Sequence, residues 1–116
     1  MHILVIDDEI SYLELLKEIL DRKGYQVSTS PNALLALKQI NSLRLDLIIV
    51  DFQIPGLNGL EFIDAIRKLK IETPAVLISG HEINLTREQR KKSNIIGYLT
   101  KPIDFDEMEK LLHQVC

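Results

Sequence analysis

The stretch Leu47–Asp51 (LIIVD) sets four apolar residues directly before a carboxylate, and residues 52–59 after it hold one Pro and two Gly. A continuous apolar run of strand length followed by turn residues is typical of a fully buried strand in a parallel sheet. In open α/β sheets, ligands bind just beyond the carboxyl ends of the strands. The sequence therefore places Asp51 where a binding or catalytic group is expected.

Strand patterns and amphipathic helix patterns alternate five times along the chain. This alternation predicts one α/β domain over residues 1–116, with a parallel sheet covered by helices on both faces. The second strand is the most polar and is therefore expected at an edge of the sheet. The predicted strands are 3–6, 26–30, 47–50, 75–78 and 95–100.

The spacing of apolar residues also predicts where the helices begin and which side of each is buried. Ser30 before Pro31 predicts the start of the second helix, and Thr86 with Gln89 predicts a capping box. The fourth helix, residues 87–93, has no apolar residue and should be short or weakly docked. The expected inward residues are Ile10, Leu13, Leu16, Ile19 and Leu20 in the first helix, Ala33, Leu34, Leu37 and Ile40 in the second, Leu60, Phe62, Ile63, Ile66 and Leu69 in the third, and Phe105, Met108, Leu111, Leu112 and Val115 in the last.

The composition is that of an ordinary globular protein, with 46% hydrophobic and 27% charged residues and a net charge of −3. This charge gives no electrostatic basis for direct nucleic-acid binding by the domain. No apolar stretch approaches the roughly 20 residues of a membrane span, and the N-terminus does not resemble a signal peptide. With one cysteine, Cys116, the chain forms no internal disulfide. A cytoplasmic protein without membrane association is expected.

Charged and hydroxyl side chains follow the predicted strands at the end where ligands bind. Asp7 and Asp8 follow the first strand, Asp51 the third, Ser79 the fourth and Lys101 the fifth. Because three neighbouring carboxylates repel one another, they favour a hard divalent cation such as Mg²⁺. A lysine and a hydroxyl nearby can stabilise charge on phosphoryl oxygens. The set therefore predicts a carboxylate nucleophile that accepts a phosphoryl group.

Each of these residues also has a simpler explanation. An Asp after a strand is often a turn former, Asp8 could cap the first helix, and Lys101 could be a solvated loop residue. Ser79 before Gly80 is a common turn pair. The coincidence of five such positions at the strand ends favours a shared site. A phosphatase of the haloacid-dehalogenase type also forms an aspartyl phosphate, but Gln53 stands where that enzyme needs a second carboxylate.

The sequence contains a larger motif set: Asp7–Asp8, Asp51 followed by Pro55–Gly56 and Gly59, then Ser79, Tyr98 and Lys101–Pro102. This set resembles the receiver domain of two-component response regulators, and the similarity covers nearly the whole chain. It implies a flavodoxin-like fold of five parallel strands in the order 2-1-3-4-5. One departure near the site is Gly80, where many members of the family have Ala.

The resemblance implies a phosphoacceptor and a metal site. Asp51 would accept the phosphoryl group. Asp8 and Asp51 would give carboxylate oxygens to Mg²⁺, Gln53 would give its backbone carbonyl, and Asp7 would act mostly through water. These oxygen ligands suit the preferences of Mg²⁺.

The resemblance also implies a switch. Ser79 and Lys101 would bind the phosphoryl oxygens, and the Lys101–Pro102 peptide bond would be cis. Tyr98 would swing inward as Ser79 is drawn toward the phosphoryl group. The surface of the fourth helix, fifth strand and fifth helix would then change its affinity for a partner.

The expected phosphoryl donor is a sensor histidine kinase or a phosphotransfer protein. The expected output is a downstream protein target, an attached output domain, or a homodimer formed through the fourth helix, fifth strand and fifth helix. The chain would catalyse its own phosphoryl transfer and dephosphorylation and would not be a separate enzyme. Two alternatives stay open: an inert pseudo-receiver that acts as a protein-binding module, and the excised N-terminal receiver of a DNA-binding response regulator.

Overall fold

The computed structural model describes residues 1–115, in which five strands alternate with five helices. Cys116, the last residue of the predicted domain, lies outside the described residues. Within residues 1–115, no helix has the length and apolar character needed to cross a membrane. The elements are β1 (His2–Ile6), α1 (Ile10–Arg22), β2 (Gln26–Ser30), α2 (Ala33–Ile40), β3 (Leu47–Asp51), α3 (Gly59–Lys68), β4 (Ala75–Ser79), α4 (Arg87–Lys92), β5 (Ile95–Thr100) and α5 (Phe105–Val115).

The five strands form one parallel sheet in the order β2-β1-β3-β4-β5, which confirms the predicted fold. The polar strand β2 lies at an edge, as expected. Ile6 of β1 pairs with Val50 of β3, and Asp51 pairs with Ile78 of β4. The three central strands therefore end at nearly the same level, and their carboxyl ends form one edge of the sheet.

The core lies on both faces of the sheet because the central strands are buried on both sides. Alternate strand residues point to opposite faces, so Leu4 and Val50 pack with α2 and α3, whereas Val5 and Ile49 pack with α1 and α5. Phe62 of α3 is fully buried in the first of these clusters. The two clusters hold β1, β3 and β4 firmly beneath the edge where the polar residues lie.

Three predicted inward residues are exposed instead: Ile10 at 56%, Leu34 at 64% and Leu69 at 55%. Ile10 is the first residue of α1 and precedes the buried stripe of that helix by one turn. In α2, the buried stripe includes Ala36 rather than Leu34. Leu69 is the C-cap of α3 and has left the helical face. The other residues predicted to face inward are buried or partly buried.

The cap of α2 also differs from the prediction. Its N-cap is Asn32, whose Oδ1 accepts a hydrogen bond of 2.8 Å from the backbone N–H of Leu35. Ser30 Oγ instead donates to the carbonyl of Asn32 at 3.0 Å, so Pro31 precedes the helix and does not begin it. The side chain of Asn in extended backbone geometry is well suited to capping. The predicted capping box of Thr86 and Gln89 is confirmed.

The fourth helix, α4, has six residues and buries none of them, which agrees with the prediction of a short, weakly docked helix. The turn after it is tied to α3 by Arg67, whose Nε donates to the carbonyl of Ser93 at 2.7 Å. Ser93 Oγ also donates to Asp64 Oδ1 at 3.2 Å. The carboxyl end of α4 is therefore held by hydrogen bonds rather than by apolar packing.

Candidate phosphoacceptor site

The carboxyl ends of the central strands bring four of the predicted site residues into one crevice. Asp7 follows β1 and is fully buried, and Asp51 ends β3 and is 5% exposed. Lys101 follows β5, and its Nζ lies 2.8 Å from Asp51 Oδ2. Asp8 offers a carboxylate oxygen from the exposed side of the crevice. The parallel sheet thus assembles groups that are far apart in the sequence.

The ammonium of Lys101 is held by three carboxylates. Its Nζ lies 2.8 Å from Asp51 Oδ2, 2.9 Å from Asp7 Oδ2 and 2.9 Å from Glu9 Oε1. The same nitrogen lies 4.5 Å from the centre of the Tyr12 ring, within the range of a cation–π contact. Burial lowers the pKa of Lys101, but the adjacent carboxylates of Asp51, Asp7 and Glu9 outweigh burial and raise the pKa overall. Lys101 therefore remains a cation at neutral pH.

Asp7, Asp8 and Asp51 form a carboxylate cluster in which one oxygen from each lies within 4.8 Å of the others. Asp7 Oδ1 accepts a hydrogen bond of 2.9 Å from the backbone N–H of Glu9. Among residues 1–115, no donor makes a well-oriented hydrogen bond to Asp7 Oδ2, although Lys101 is close to it. A buried carboxylate oxygen without such a donor, beside two more carboxylates, fits the oxygen-rich surroundings of Mg²⁺.

Burial raises the pKa of Asp7. The backbone N–H of Glu9 and the ammonium of Lys101 lower this pKa, and the charge of Asp51 raises it further. The net direction is upward, so the folded protein disfavours the ionised form of Asp7.

Local backbone bonds fix Asp51 at the end of its strand. Asp51 Oδ1 accepts from the backbone N–H of Gln53 at 3.0 Å. Gly59, the first residue of α3, donates its N–H to the carbonyl of Phe52 at 2.7 Å. A Cβ on Gly59 would lie 2.6 Å from the carbonyl oxygen of Asp51, so only glycine allows α3 to begin this close to β3. The loop of residues 52–58 therefore closes tightly beside the crevice.

Ser79 and Lys101 are joined through the backbone, because the Lys101 N–H donates to the Ser79 carbonyl at 2.8 Å. Ser79 is buried, and its Oγ accepts from the backbone N–H of His81 at 3.0 Å. The Lys101–Pro102 peptide bond is cis, as expected. The hydroxyl of Ser79 and the ammonium of Lys101 thus come from adjacent strands of the sheet.

Tyr98 does not join the crevice in this structure. It lies on the edge strand β5 and is 40% exposed. The guanidinium of Arg90 in α4 lies 5.7 Å from the centre of its ring. Tyr98 also lines a groove of about 450 Å³ together with Glu107 and Lys110 of α5. The residue therefore borders the surface of α4, β5 and α5.

Two residues of the crevice, Glu9 and Tyr12, were not predicted from the sequence. Glu9 completes the acidic run after β1, and Tyr12 is three residues further along, one helical turn away. The hydroxyl of Tyr12 accepts a hydrogen bond of 3.1 Å from the backbone N–H of Ile103. Glu9 is also the N-cap of α1, so the alternative that Asp8 caps this helix is wrong.

The raised pKa of Asp7 predicts a pH-dependent difference in stability between the protein and its Asp7→Asn variant. A carboxyl group with a raised folded-state pKa stabilises the fold most when it is protonated, and this contribution is lost as pH rises through that pKa. The Asn variant has no carboxyl group at this position, so its stability does not fall for this reason as pH rises. We expect its free energy of unfolding, relative to the parent, to increase as pH rises from acid to neutral, measured by urea unfolding in EDTA.

The matched control for this prediction is Asp106→Asn, which changes an exposed aspartate of α5. Its stability should follow that of the parent protein in parallel across the same pH range. If the Asp7→Asn curve also runs parallel to the parent, or falls relative to it toward neutral pH, the upward direction of the Asp7 pKa is wrong.

Comparison with known sequences supports the family resemblance. The family model of the response regulator receiver domain matches residues 3–113. The chain is 35% identical over 118 residues to an uncharacterized 14.6 kDa protein of Leptolyngbya boryana, covering 100% of this chain and 90% of that protein. It is 29% identical over 107 residues to sporulation initiation phosphotransferase F of Bacillus subtilis, covering 91% and 86%.

The transcriptional regulatory protein ZraR of Klebsiella oxytoca is 30% identical over 112 residues that cover 97% of this chain. The chain spans 25% of the length of that relative. The ZraR protein of Escherichia coli gives the same picture, with 29% identity and 25% of its length covered.

Solved structures show the same architecture. The response regulator TrrA of Thermotoga maritima, in complex with Mg²⁺ and BeF, superposes with a TM-score of 0.86 at 34% identity and covers 99% of this chain and 98% of its own. The chemotaxis response regulator CheY4 of Vibrio cholerae gives a TM-score of 0.83 at 29% identity, covering 99% and 98%. The chain belongs to the response regulator receiver domain family.

Proposed function

We propose that the protein is a phosphorylation-activated switch of a two-component system, in which Asp51 accepts the phosphoryl group. The observation that carries this proposal is the ion pair of 2.8 Å between Asp51 and Lys101 in a crevice that also holds Asp7 and Asp8. Membership of the receiver family supports phosphorylation-dependent signalling in general. The roles of the individual residues are our proposal.

In the proposed reaction, a carboxylate oxygen of Asp51 attacks the phosphorus of a phosphohistidine on a sensor kinase or phosphotransfer protein. The new P–O bond forms as the P–N bond breaks, and the histidine departs as the leaving group. Lys101 would pair with a phosphoryl oxygen, and the Ser79 hydroxyl would donate to another. Lys101 already lies 2.8 Å from Asp51, and Ser79 ends the strand adjacent to that of Asp51, which supports these roles.

The residues that would hold Mg²⁺ are Asp8 and Asp51 through carboxylate oxygens, Gln53 through its backbone carbonyl, and Asp7 mostly through water. When bound, the ion would neutralise negative charge on the phosphoryl oxygens. The carboxylate cluster and the Asp7 oxygen without a well-oriented donor support this assignment. The related TrrA structure contains Mg²⁺ and BeF.

We further propose that the signal leaves through Ser79 and Tyr98. Movement of Ser79 toward the phosphoryl group would open space for Tyr98, which is now half-exposed beside Arg90. The surface of α4, β5 and α5 would then change its affinity for a downstream protein, an attached output domain or a second copy of the chain. An aspartyl phosphate carries about two negative charges in place of the single charge of the Asp51 carboxylate, and this change can bias such a two-state element.

One observation favours a second form of this function. Because the chain spans a quarter of the ZraR proteins, a receiver that controls an attached domain in a longer regulator is the alternative to a stand-alone receiver. Both forms need the same phosphoacceptor, whereas an inert pseudo-receiver does not.

Incubation with acetyl phosphate and Mg²⁺ tests the proposal. Intact-mass measurement should show the gain of one phosphoryl group, and EDTA should prevent it. Beryllofluoride with Mg²⁺ should also shift amide resonances around Tyr98. Absence of any adduct under trapping conditions would favour the pseudo-receiver, and an adduct without shifts near Tyr98 would remove the proposed relay while leaving the phosphoacceptor intact.

The metal assignment predicts that Asp8→Asn weakens Mg²⁺ binding. Mutation of a partner that only hydrogen-bonds to a metal ligand already reduces affinity by about 10- to 100-fold, so loss of the Asp8 carboxylate should cost at least as much. Asp8 is the exposed member of the cluster, so the fold should be retained. The affinity can be measured by NMR titration with Mg²⁺. Asp106→Asn is the matched control and should bind like the parent, whereas equal affinity of both variants would remove Asp8 from the metal site.

A further inference from the structure

The three partners of Lys101 differ sharply in their exposure. The side chains of Asp7 and Asp51 are 0% and 7% exposed, whereas that of Glu9 is 59% exposed. Glu9 is the N-cap of α1, but its side chain makes no capping hydrogen bond and reaches Lys101 instead. The exposed carboxylate of Glu9 therefore accepts a hydrogen bond from Lys101 and does not cap α1.

A lysine ammonium has three N–H donors. In this structure three carboxylates, those of Asp51, Asp7 and Glu9, lie within 2.9 Å of it. The ring of Tyr12 lies 4.5 Å away on a further side, and the Tyr12 hydroxyl is fixed by the N–H of Ile103. Its hydrogen bonds go to Asp51 and Glu9, and Asp7 Oδ2 lies close without a well-oriented bond, so a phosphoryl oxygen that approaches the ammonium competes with carboxylates already beside it.

Glu9 is the partner that can be displaced at the lowest cost. When an exposed carboxylate loses an ion pair, water replaces the lost hydrogen bond. A buried carboxylate in the position of Asp7 would keep its charge without compensation, which is far more costly. Phosphorylation turns the Asp51 carboxylate into an acyl phosphate, so the Asp51 oxygen that now contacts Lys101 gives way to phosphoryl oxygens on the same residue. Glu9 is therefore the carboxylate that competes with the phosphoryl oxygens for the ammonium of Lys101.

We propose that Glu9 is a positioning residue that holds Lys101 in the unphosphorylated protein and competes with the phosphoryl group for its ammonium. This inference rests on the proposed function, because it requires that Asp51 be phosphorylated. Glu9 would then determine how readily Asp51 accepts a phosphoryl group. Removing the carboxylate frees one donor of Lys101 and favours the phosphorylated state.

The test compares Glu9→Gln with the parent protein and with Glu14→Gln, which removes the same charge from an exposed position of α1. Glu9→Gln should accelerate phosphorylation by acetyl phosphate and tighten the binding of beryllofluoride, each by about two- to fivefold, the factor that one partly exposed ion pair contributes. Glu14→Gln should match the parent in both measurements.

Two further measurements separate a role through Lys101 from a general effect of charge. In a Lys101→Met background, Glu9→Gln should no longer change the phosphorylation rate. In the metal-free protein, the ¹⁵N-labelled ammonium of Lys101 should exchange its protons faster after Glu9→Gln, which is independent of phosphorylation.

The outcomes distinguish the inference from the proposed function. If the parent protein is not phosphorylated on Asp51, the proposed function fails and the inference fails with it. If the parent is phosphorylated but Glu9→Gln behaves like Glu14→Gln, or if its effect persists without Lys101, only the inference is overturned. Slower phosphorylation of Glu9→Gln would also overturn it, because the carboxylate would then assist rather than compete.

Discussion

Asp51→Asn should abolish acceptance of a phosphoryl group from acetyl phosphate while retaining the fold. The amide of Asn is not nucleophilic, so no acyl phosphate can form. The amide oxygen can still accept the hydrogen bond that Gln53 donates to Asp51 at 3.0 Å. Loss of one negative charge also relieves the repulsion in the carboxylate cluster. Intact mass reports the adduct, and the amide spectrum reports the fold.

Asp106→Asn is the matched control for this experiment, because it removes an exposed carboxylate of α5 away from the crevice. Its adduct should form as in the parent protein. A phosphorylated Asp51→Asn variant would move the acceptor to another residue, and peptide mapping would then identify it. Such a result would contradict the assignment of Asp51.

Lys101→Met should have the largest effect on stability among the changes considered at the site. Removal of the ammonium leaves Asp7 and Asp51 as neighbouring buried carboxylates. Breaking a buried ion pair by removal of one partner costs about 3–5 kcal/mol. We expect a loss of about 3 kcal/mol in the free energy of unfolding at neutral pH in EDTA, since one of the three partners, Glu9, is exposed. Urea unfolding measures the loss.

A matched lysine is available in Lys17, whose ion pair with Asp21 on α1 is exposed on both sides. Lys17→Met should cost less than about 0.5 kcal/mol. Saturating Mg²⁺ should restore part of the stability lost in Lys101→Met, because the cation offsets the same carboxylates. Equal losses for the two lysine variants would show that the ammonium of Lys101 does not hold the crevice together.

The sheet and the position of Asp51 could be predicted because both follow from local patterns. The run Leu47–Asp51 is long, apolar and bounded by turn residues, so burial on both faces was evident from the sequence. In a parallel sheet, all carboxyl ends lie on one side, which brings Asp7, Asp51 and Lys101 to the same edge. The order of the strands came from the family resemblance, because periodicity alone does not reveal which strands are neighbours.

The residues that were missed depend on the rotation of side chains around a helix and across a turn. Glu9 and Tyr12 meet Lys101, which is 92 residues from Glu9, only because the first turn of α1 faces the turn after β5. Leu34 was predicted to be buried because it is apolar, but the sheet meets the smaller Ala36. Ser30 and Asn32 are both good caps, and only the backbone geometry selects Asn32.

The hydrogen bond that Arg67 of α3 donates to the carbonyl of Ser93 limits how α4 can move. One end of this helix is fastened to α3, whereas none of its six residues is buried in the core. Because only this end is fixed, α4 can tilt about Ser93 but cannot shift along its own axis. Any displacement of α4 should therefore be smallest at Ser93 and largest at Thr86. The end of α4 that moves most is then the end that the loop after Ser79 leads into.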